Sequence, residues 1–399
     1  MIICDKELCT GCQACVSVCP QSAITMQADK KGFLRPIIND QLCNNCGFCI
    51  KSCPININYK KDEKQEKIVY AAWNKNSKIR KRSSSGGVFT VIANYILDKN
   101  GVVFGARWTN DYMAVVHDYC ETKEGLSVFQ GSKYVQSNIG DNYKKAKNFL
   151  ENNRFVLFSG TPCQIAGLKS YLKKPYPNLL TIDLVCHGVP SSKVWKDYAT
   201  YMEEKHNDKI TNVQLKYKKP SWLSSSIKIT FKDSPTYLES VFTNPYYLGF
   251  VKNFYLRDSC YKCKFSNINR QGDITLGDFW GYQPYSLKFI GYNKGVSLII
   301  INNNSGNTIF NSVSKNLVFE KSTIEKAIRG NLNLKEPQKK HEASKDFWKE
   351  YIKTSNFIYS IKSYIKQNCQ KTNSFFNKLR RYKYILPIWF VKFIKKIKK

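Results

Sequence analysis

At 399 residues, with 42% hydrophobic and 14% aromatic residues, the chain is long enough for two or three domains and too apolar for a disordered composition. Its formal net charge of +33 points toward anionic partners, but Lys, Asn, Ile and Tyr are all abundant, so where the charge clusters matters more than its sum. The start, MIICDKELC, lacks the basic and apolar regions of a secretory signal, and no window holds the roughly 18 uncharged apolar residues of a spanning helix. The expectation is a cytoplasmic chain whose 15 cysteines serve metal rather than disulfides.

The first 60 residues carry one spacing twice, C-x2-C-x2-C-x3-C-P: Cys9, Cys12, Cys15, Cys19, Pro20 and then Cys43, Cys46, Cys49, Cys53, Pro54. Three cysteines two residues apart wrap one face of a cubane, while the fourth is carried by the proline-terminated turn toward the partner cluster. The ligand sets should therefore interleave, Cys9, Cys12, Cys15 and Cys53 on one 4Fe-4S cluster and Cys43, Cys46, Cys49 and Cys19 on the other. Tetrahedral zinc also takes four thiolates, but its sites normally use two separated C-x2-C pairs and have no need of a third cysteine with Cys-Pro. Short strand-like runs lie at 24–26 and 33–38, and Gly11 and Gly47 let backbone N–H groups approach the sulfides. This segment, 1–60, resembles a bacterial two-cluster ferredoxin, and the charged residues 61–67 read as a linker.

In KIRKRSSSGGVFTVIANYIL (78–97), Val88, Phe89, Ile92, Ile96 and Leu97 share one side of a helix that starts after three serines and two glycines. Free N–H groups and the helix dipole make such a start an anion site. The functional reading is a pyrophosphate cradle at Ser84, Ser85, Gly86 and Gly87, and the plain one is a serine cap after a turn. FVLFSGTPCQIAGLKSYL (155–172) and LLTIDLVCHGVPSSKVWKDYATYM (179–202) then share a strand-turn-helix order, with Ser191 or Ser192 as the second cap. Such units in series imply a parallel sheet with ligands beyond the carboxyl ends of its strands, where Cys163, Cys186 and His187 fall. Cys260 and Cys263 form a C-x2-C pair, so that with Cys163 and Cys186 they make a four-thiolate set for a third cubane or a structural zinc. Cys4, Cys120 and Cys369 have no informative spacing and read as structural or free. NVQLKYKK, SIKITFKD and TYLESVFT read as an antiparallel insertion with no evident chemistry.

The ordered series SSSGGVFT, GSKYVQS, SGTPCQIAGLK, DLVCHGVPS, SCYKCKF and GDITLGDFWG, over about 68–330, resembles the beta-subunit family of deazaflavin-coenzyme hydrogenases and dehydrogenases, a family that also includes chlorophyll-cycle reductases. The resemblance implies an FAD-binding α/β domain with its own 4Fe-4S cluster at Cys163, Cys186, Cys260 and Cys263, and favours the cradle. Members associated with hydrogenases often lack a fused ferredoxin module, so the family name does not fix the substrate.

The expected fold is thus an α+β dicluster module at 1–60, then a larger α/β flavin-binding domain at 68–350 with an antiparallel insertion, then a basic amphipathic tail at 351–399. The expected function is electron passage between a ferredoxin-like donor, the clusters, FAD and an organic acceptor, in either direction. On this reading Gly160, Thr161, Pro162 and Gln164 present backbone and amide groups to the flavin, and Lys133 stabilises its anionic reduced form. Asp278 and Trp280 line the flavin or substrate pocket, Trp280 equally suiting packing. His187 relays a proton, the plain reading being a hydrogen-bonded loop histidine. One alternative function is a non-catalytic electron-transfer subunit of a larger redox complex; another is a zinc-stabilised basic binding protein. The last 29 residues hold ten Lys or Arg and no acid among aromatics, which suits an anionic membrane surface on the inner face. Nucleic acid is disfavoured, since no recognition module is visible.

Overall fold

The computed structural model describes residues 1–58, 67–283 and 291–370. The expected linker lies outside these residues apart from Lys67, as does the basic segment 371–399. Among the described residues no helix is long and apolar enough to cross a membrane.

The N-terminal module holds two short helices, α1 (Ala14–Val18) and α2 (Phe48–Lys51), around a hairpin of β1 (Ile24–Ala28) and β2 (Leu34–Ile38). The strands pair antiparallel, Ile24 opposite Ile38. Asp29 shapes the hairpin by accepting from the Lys31 and Phe33 amides at 2.9 and 3.0 Å. Gly11, between Cys9 and Cys12, and Gly47, between Cys46 and Cys49, turn the chain at φ +68° and +73°, a conformation that a Cβ disfavours; their counterparts in the other repeat, Asn45 and Gln13, also have positive φ.

The main domain runs in order through β3 (Ile68–Asn74), α3 (Ser77–Arg82), α4 (Val88–Leu97), β4 (Val102–Trp108), β5 (Val115–Cys120), α5 (Asn142–Glu151), β6 (Val156–Gly160), α6 (Pro162–Leu172), β7 (Leu179–Leu184) and α7 (Ser192–His206). The insertion follows as β8 (Ile210–Tyr217), β9 (Ser226–Phe231) and β10 (Tyr237–Ser240), then α8 (Pro245–Val251). The chain returns through β11 (Ile274–Asp278), β12 (Ser297–Ile301), α9 (Asn304–Val313), β13 (Leu317–Ser322) and α10 (Ile324–Gly330), and ends on α11 (Ser344–Thr354) and α12 (Phe357–Gln370).

One eight-stranded sheet in the order β13-β3-β12-β11-β7-β6-β4-β5 organises this domain. Strands β4, β6, β7 and β11 run parallel, as the strand-turn-helix units require. The sheet is nevertheless mixed: β12 runs antiparallel to both β11 and β3, and the edge strands β5 and β13 are antiparallel to their neighbours. Alternation along β6 divides the core. Leu157 packs with Val88, Ile92 and Ile96 of α4 on one face, and Val156 and Phe158 pack with Tyr143 of α5 and Ile165 and Leu168 of α6 on the other. Five strand ends, of β3, β4, β6, β7 and β11, open on one edge of the sheet.

The insertion forms its own three-stranded antiparallel sheet, whose core of Trp195, Tyr198, Tyr246, Phe347, Tyr351, Phe357 and Ile361 is shared with α7, α8, α11 and α12. This corrects the expected boundary at 350. Tyr351, Phe357 and Ile361 are buried, each contributing about 2 kcal/mol of apolar burial, so the fold runs well into the expected tail.

The dicluster module docks on α6 and the α7–α8 side largely through its own backbone carbonyls. Arg257 Nε donates to the Cys9 carbonyl at 2.7 Å, Gln136 to Thr10 at 2.9 Å, Ser170 to Ser52 at 2.6 Å, and Lys264 to Ile55 and Ile57 at 2.9 and 2.6 Å. Gly167 of α6 faces Cys12 so closely that an added Cβ there would lie 3.1 Å from its sulfur.

Candidate functional site

Three groups of four cysteines emerge. Cys9, Cys12, Cys15 and Cys53 are all buried, and the thiols of Cys12 and Cys15 feel the charge of Cys9 and Cys53 across the repeat. Cys19, Cys43, Cys46 and Cys49 line one cleft with Ile24 and Ile38, and Cys46 is exposed. The fold thus brings the fourth cysteine of each repeat to the other repeat's first three. The third group, Cys163, Cys186, Cys260 and Cys263, surrounds a cavity at the ends of β6 and β7, lined also by Thr10 of the module, Pro162, His187 and Arg257.

Burial pushes the Cys12 and Cys186 thiols up to about 12 and Cys163 to about 11, and raises Cys260 well above its ordinary value; repulsion among the neighbouring thiols adds to this. Convergent thiols in such a place ionise only when a cation is supplied, which is the service that cluster iron performs. Among the described residues no three His, Cys, Asp or Glu side chains gather tightly enough to hold a single metal ion. Four convergent thiols in each group are the donor set that a 4Fe-4S cluster takes, and also one that zinc takes.

Cys4, set aside on spacing, lies within hydrogen-bonding reach of both Cys53 and Cys9. The Cys9 thiol is held below its ordinary value first by that hydrogen bond and then by Arg257. No spacing rule could reveal it, because Cys4 precedes the repeat and arrives there through the fold.

Beside the third group, the strand ends carry the other sequence-derived candidates. Ser84 Oγ accepts from the Ser132 amide at 2.5 Å, Ser85 Oγ donates to the Val296 carbonyl at 2.7 Å, and the Gly86 amide donates to Ser297 Oγ at 3.0 Å. Gly87 caps α4 at φ +83°. Lys133, next to Ser132, donates to the Gln130 and Gly131 carbonyls, and burial draws its ammonium down to about 7. The charge of Lys133 is felt by His117, whose Nε2 lies 3.0 Å from the Ser159 carbonyl and whose Nδ1 is buried without a hydrogen-bond partner. Loops 83–87 and 131–133 and the corner at Gly160 and Thr161 are thereby linked side by side.

Two candidates are committed elsewhere. Gln164 completes a capping box with Thr161 and donates to Ser137 Oγ at 2.9 Å, so its amide fixes the strand-helix corner instead of facing a ligand. His187 Nε2 lies 2.8 Å from Asn253 Oδ1, its ring meets Phe250 edge to face, and burial lowers its affinity for a proton. His187 is thus a hydrogen-bonded loop histidine that also lines the cavity of the third cysteine group. Asp278, at the end of β11, forms an ion pair with Lys216 Nζ and accepts from Trp222 Nε1 at 2.8 Å. Trp280 stacks on Trp222 with centroids 4.8 Å apart, and Lys216 Nζ lies 4.4 Å from the Trp280 ring centre.

Lys216 and its neighbour Lys218 come from the insertion, in which no chemistry was evident. Lys218 Nζ donates to the Arg80, Ser85 and Lys294 carbonyls at 2.5, 2.8 and 2.9 Å, tying the serine loop to β8. The signal was hidden by an irregularity in register between Gln214 and Tyr217, which leaves Leu215 and Lys216 both buried where simple alternation would expose one.

Comparison with known proteins follows this geometry. Residues 69–141 match the N-terminal part, and residues 153–327 the C-terminal part, of the family described as coenzyme F420 hydrogenase/dehydrogenase, beta subunit. Residues 8–57 match a 4Fe-4S dicluster domain. A solved structure described as the F420-reducing [NiFe] hydrogenase complex from Methanosarcina barkeri, derivatised with xenon, aligns with 76% of this chain and 95% of the compared chain, at 16% identity and a TM-score of 0.43. No curated protein matches. The chain belongs to the beta-subunit family of coenzyme F420 hydrogenases and dehydrogenases, an oxidoreductase family, and carries a 4Fe-4S dicluster domain ahead of it.

Proposed function

We propose that this protein is an iron-sulfur flavoprotein that moves electrons between an external donor and an organic acceptor. The observation that carries the reading is the serial placement of the three thiol groups. The Cys19, Cys43, Cys46 and Cys49 group is the most exposed, the Cys9, Cys12, Cys15 and Cys53 group is buried behind it, and the third lies against the module through Thr10 and Arg257 at the sheet edge. Single electrons entering at the outer group have a short protein-held route to that edge.

FAD suits the loops at the strand ends. The first backbone N–H groups of α4 offer donors to a diphosphate beside the Gly86 and Ser132 amides, which are already bonded to Ser297 and Ser84, and Lys133 offers an amine that gains or loses its charge close to physiological pH. Bound there, a flavin supplies the exchange between one-electron and two-electron chemistry. The protein's part is to hold and orient it, and to present the Lys216–Asp278 pair and the Trp222–Trp280 stack to the acceptor. A ferredoxin-like protein or a partner redox subunit suits the donor role, since a chain of net charge +33 attracts acidic proteins. The basic segment 371–399 remains a candidate contact for anionic lipid.

Anaerobic purification, with iron, acid-labile sulfide and flavin measured per chain, tests the proposal. Iron and sulfide for three cubanes with one flavin is the expected result, and reduction of the clusters by dithionite should be followed by bleaching of the flavin. Protein that carries zinc, or that takes up no flavin on reconstitution, overturns it.

A further inference from the structure

We infer that Arg257 sets the reduction potentials of the two inner cysteine groups through a buried charge that no carboxylate neutralises. Its side chain is 0% exposed. Nε donates to the Cys9 carbonyl at 2.7 Å, Nη1 to Gln136 Oε1 at 3.0 Å, and Nη2 to the Leu34 carbonyl at 2.9 Å and to Cys9 Sγ at 3.6 Å. On its other side it lines the cavity of Cys163, Cys186, Cys260 and Cys263. Every acceptor but the sulfur is a neutral amide or carbonyl, and among the described residues no acid pairs with it.

The neighbouring arginines behave differently. Arg35, which also reaches the Cys9 carbonyl, pairs with Asp29 at 3.1 Å, and Arg270, on the cavity, pairs with Asp183 at 3.3 Å. The adjacent Asp258 pairs with Lys31 and Lys340. Space for the guanidinium is made by Gly11, where an added Cβ would lie 2.7 Å from Nη1.

A guanidinium stays protonated in any protein environment, so the site holds a full positive charge. An isolated charge taken out of water costs several kcal/mol unless something of opposite sign repays it. Thiolates and sulfides of clusters on either side are the negative charge available, and a cation next to a cluster stabilises the electron it accepts. Arg257 thus raises the potentials of the two centres it touches relative to the outer group of Cys19, Cys43, Cys46 and Cys49, which it does not touch. Electrons entering from solvent are drawn inward.

This inference rests on the proposed cluster occupancy, and one experiment separates the two. Parent protein, R257Q and R257K are purified anaerobically, assayed for iron and sulfide, and titrated potentiometrically with the reduced clusters followed by EPR. With iron content unchanged, R257Q should move two of three midpoints to more negative potential and leave the third in place, while R257K, which keeps the charge, should stay near the parent. Parent-like potentials in R257Q, an equal shift of all three centres, or an R257K shift as large as that of R257Q would each overturn the inference. If R257Q does not load, R257K decides: loaded with parent potentials it upholds the charge, and loaded with shifted potentials it rejects it. Absence of iron from the parent protein instead rejects the cluster reading itself.

Discussion

Lys216 illustrates how far one side chain can be displaced from the meaning its sequence suggests. It sits in a stretch that reads as part of an antiparallel insertion with no evident chemistry, yet its side chain is 1% exposed and its ammonium faces Asp278, 17% exposed, beneath two stacked indoles. A buried ion pair is weak evidence of net stabilisation, but removal of one partner strands the other. D278N should therefore cost about 3–5 kcal/mol in chemical denaturation, even though the new amide can still accept from Trp222. The double variant K216M/D278N should recover much of that loss; full additivity of the two substitutions would show that the pair is not coupled. Lys133 gives a prediction in pH. Burial lowers its ammonium from 10.5 to about 7, so between these values the unfolded chain binds more protons than the folded one. Its contribution to stability consequently rises with pH from about 7 toward 10.5, and K133M should flatten that part of the urea midpoint profile relative to the parent.

The serine loop shows the same dependence on distant partners at the level of an element. Gly86 packs against β3 and the start of β12, where an added Cβ would lie 2.3 Å from the Ala72 carbonyl and 2.9 Å from the Ser297 amide, both backbone groups that cannot swing away. G86A should cost about 3 kcal/mol and weaken flavin retention. Gly131, with nothing near its Cβ position and φ +83°, should cost only about 1 kcal/mol as alanine, from backbone strain alone. Equal losses in the two variants would argue against the loop being wedged between strands. Elements with a local signature were legible in the sequence: the cysteine repeats, α4 from its apolar stripe, the strand-turn-helix units, and Ser191 as the cap that accepts from the Lys193 amide. What escaped was set by long-range contact. The antiparallel course of β12 depends on its two sheet partners, Lys216 on a register irregularity, Cys4 on the folding of the module, and α12 on a core built from residues more than a hundred positions away. Asp278 was picked out by its acidic aromatic loop, but its cationic partner lies 62 positions earlier and no local pattern links them.

At the level of the whole molecule, the two domains are joined across a seam in which cluster ligands are also structural residues. Cys12 packs on Gly167, the Cys9 carbonyl receives Arg257, and Thr10 lines the third cavity. Occupancy of the cysteine groups and docking of the module should therefore be one equilibrium, because whatever binds only the assembled site stabilises the assembly. Stripping iron with an oxidant and chelator under denaturant-free conditions would leave Arg257 without its compensating charge and return the thiols to their protonated forms. Water should then enter along the seam between α1 and α6, since admitting solvent costs less than holding a bare guanidinium in a dry interface. The expected signature is faster amide exchange in α1 and in α6, with β3 and β12, far across the sheet, exchanging as in the loaded protein. If α1 and α6 kept their protection after iron and sulfide had gone, docking would be independent of the clusters and the seam would be held by its direct hydrogen bonds alone.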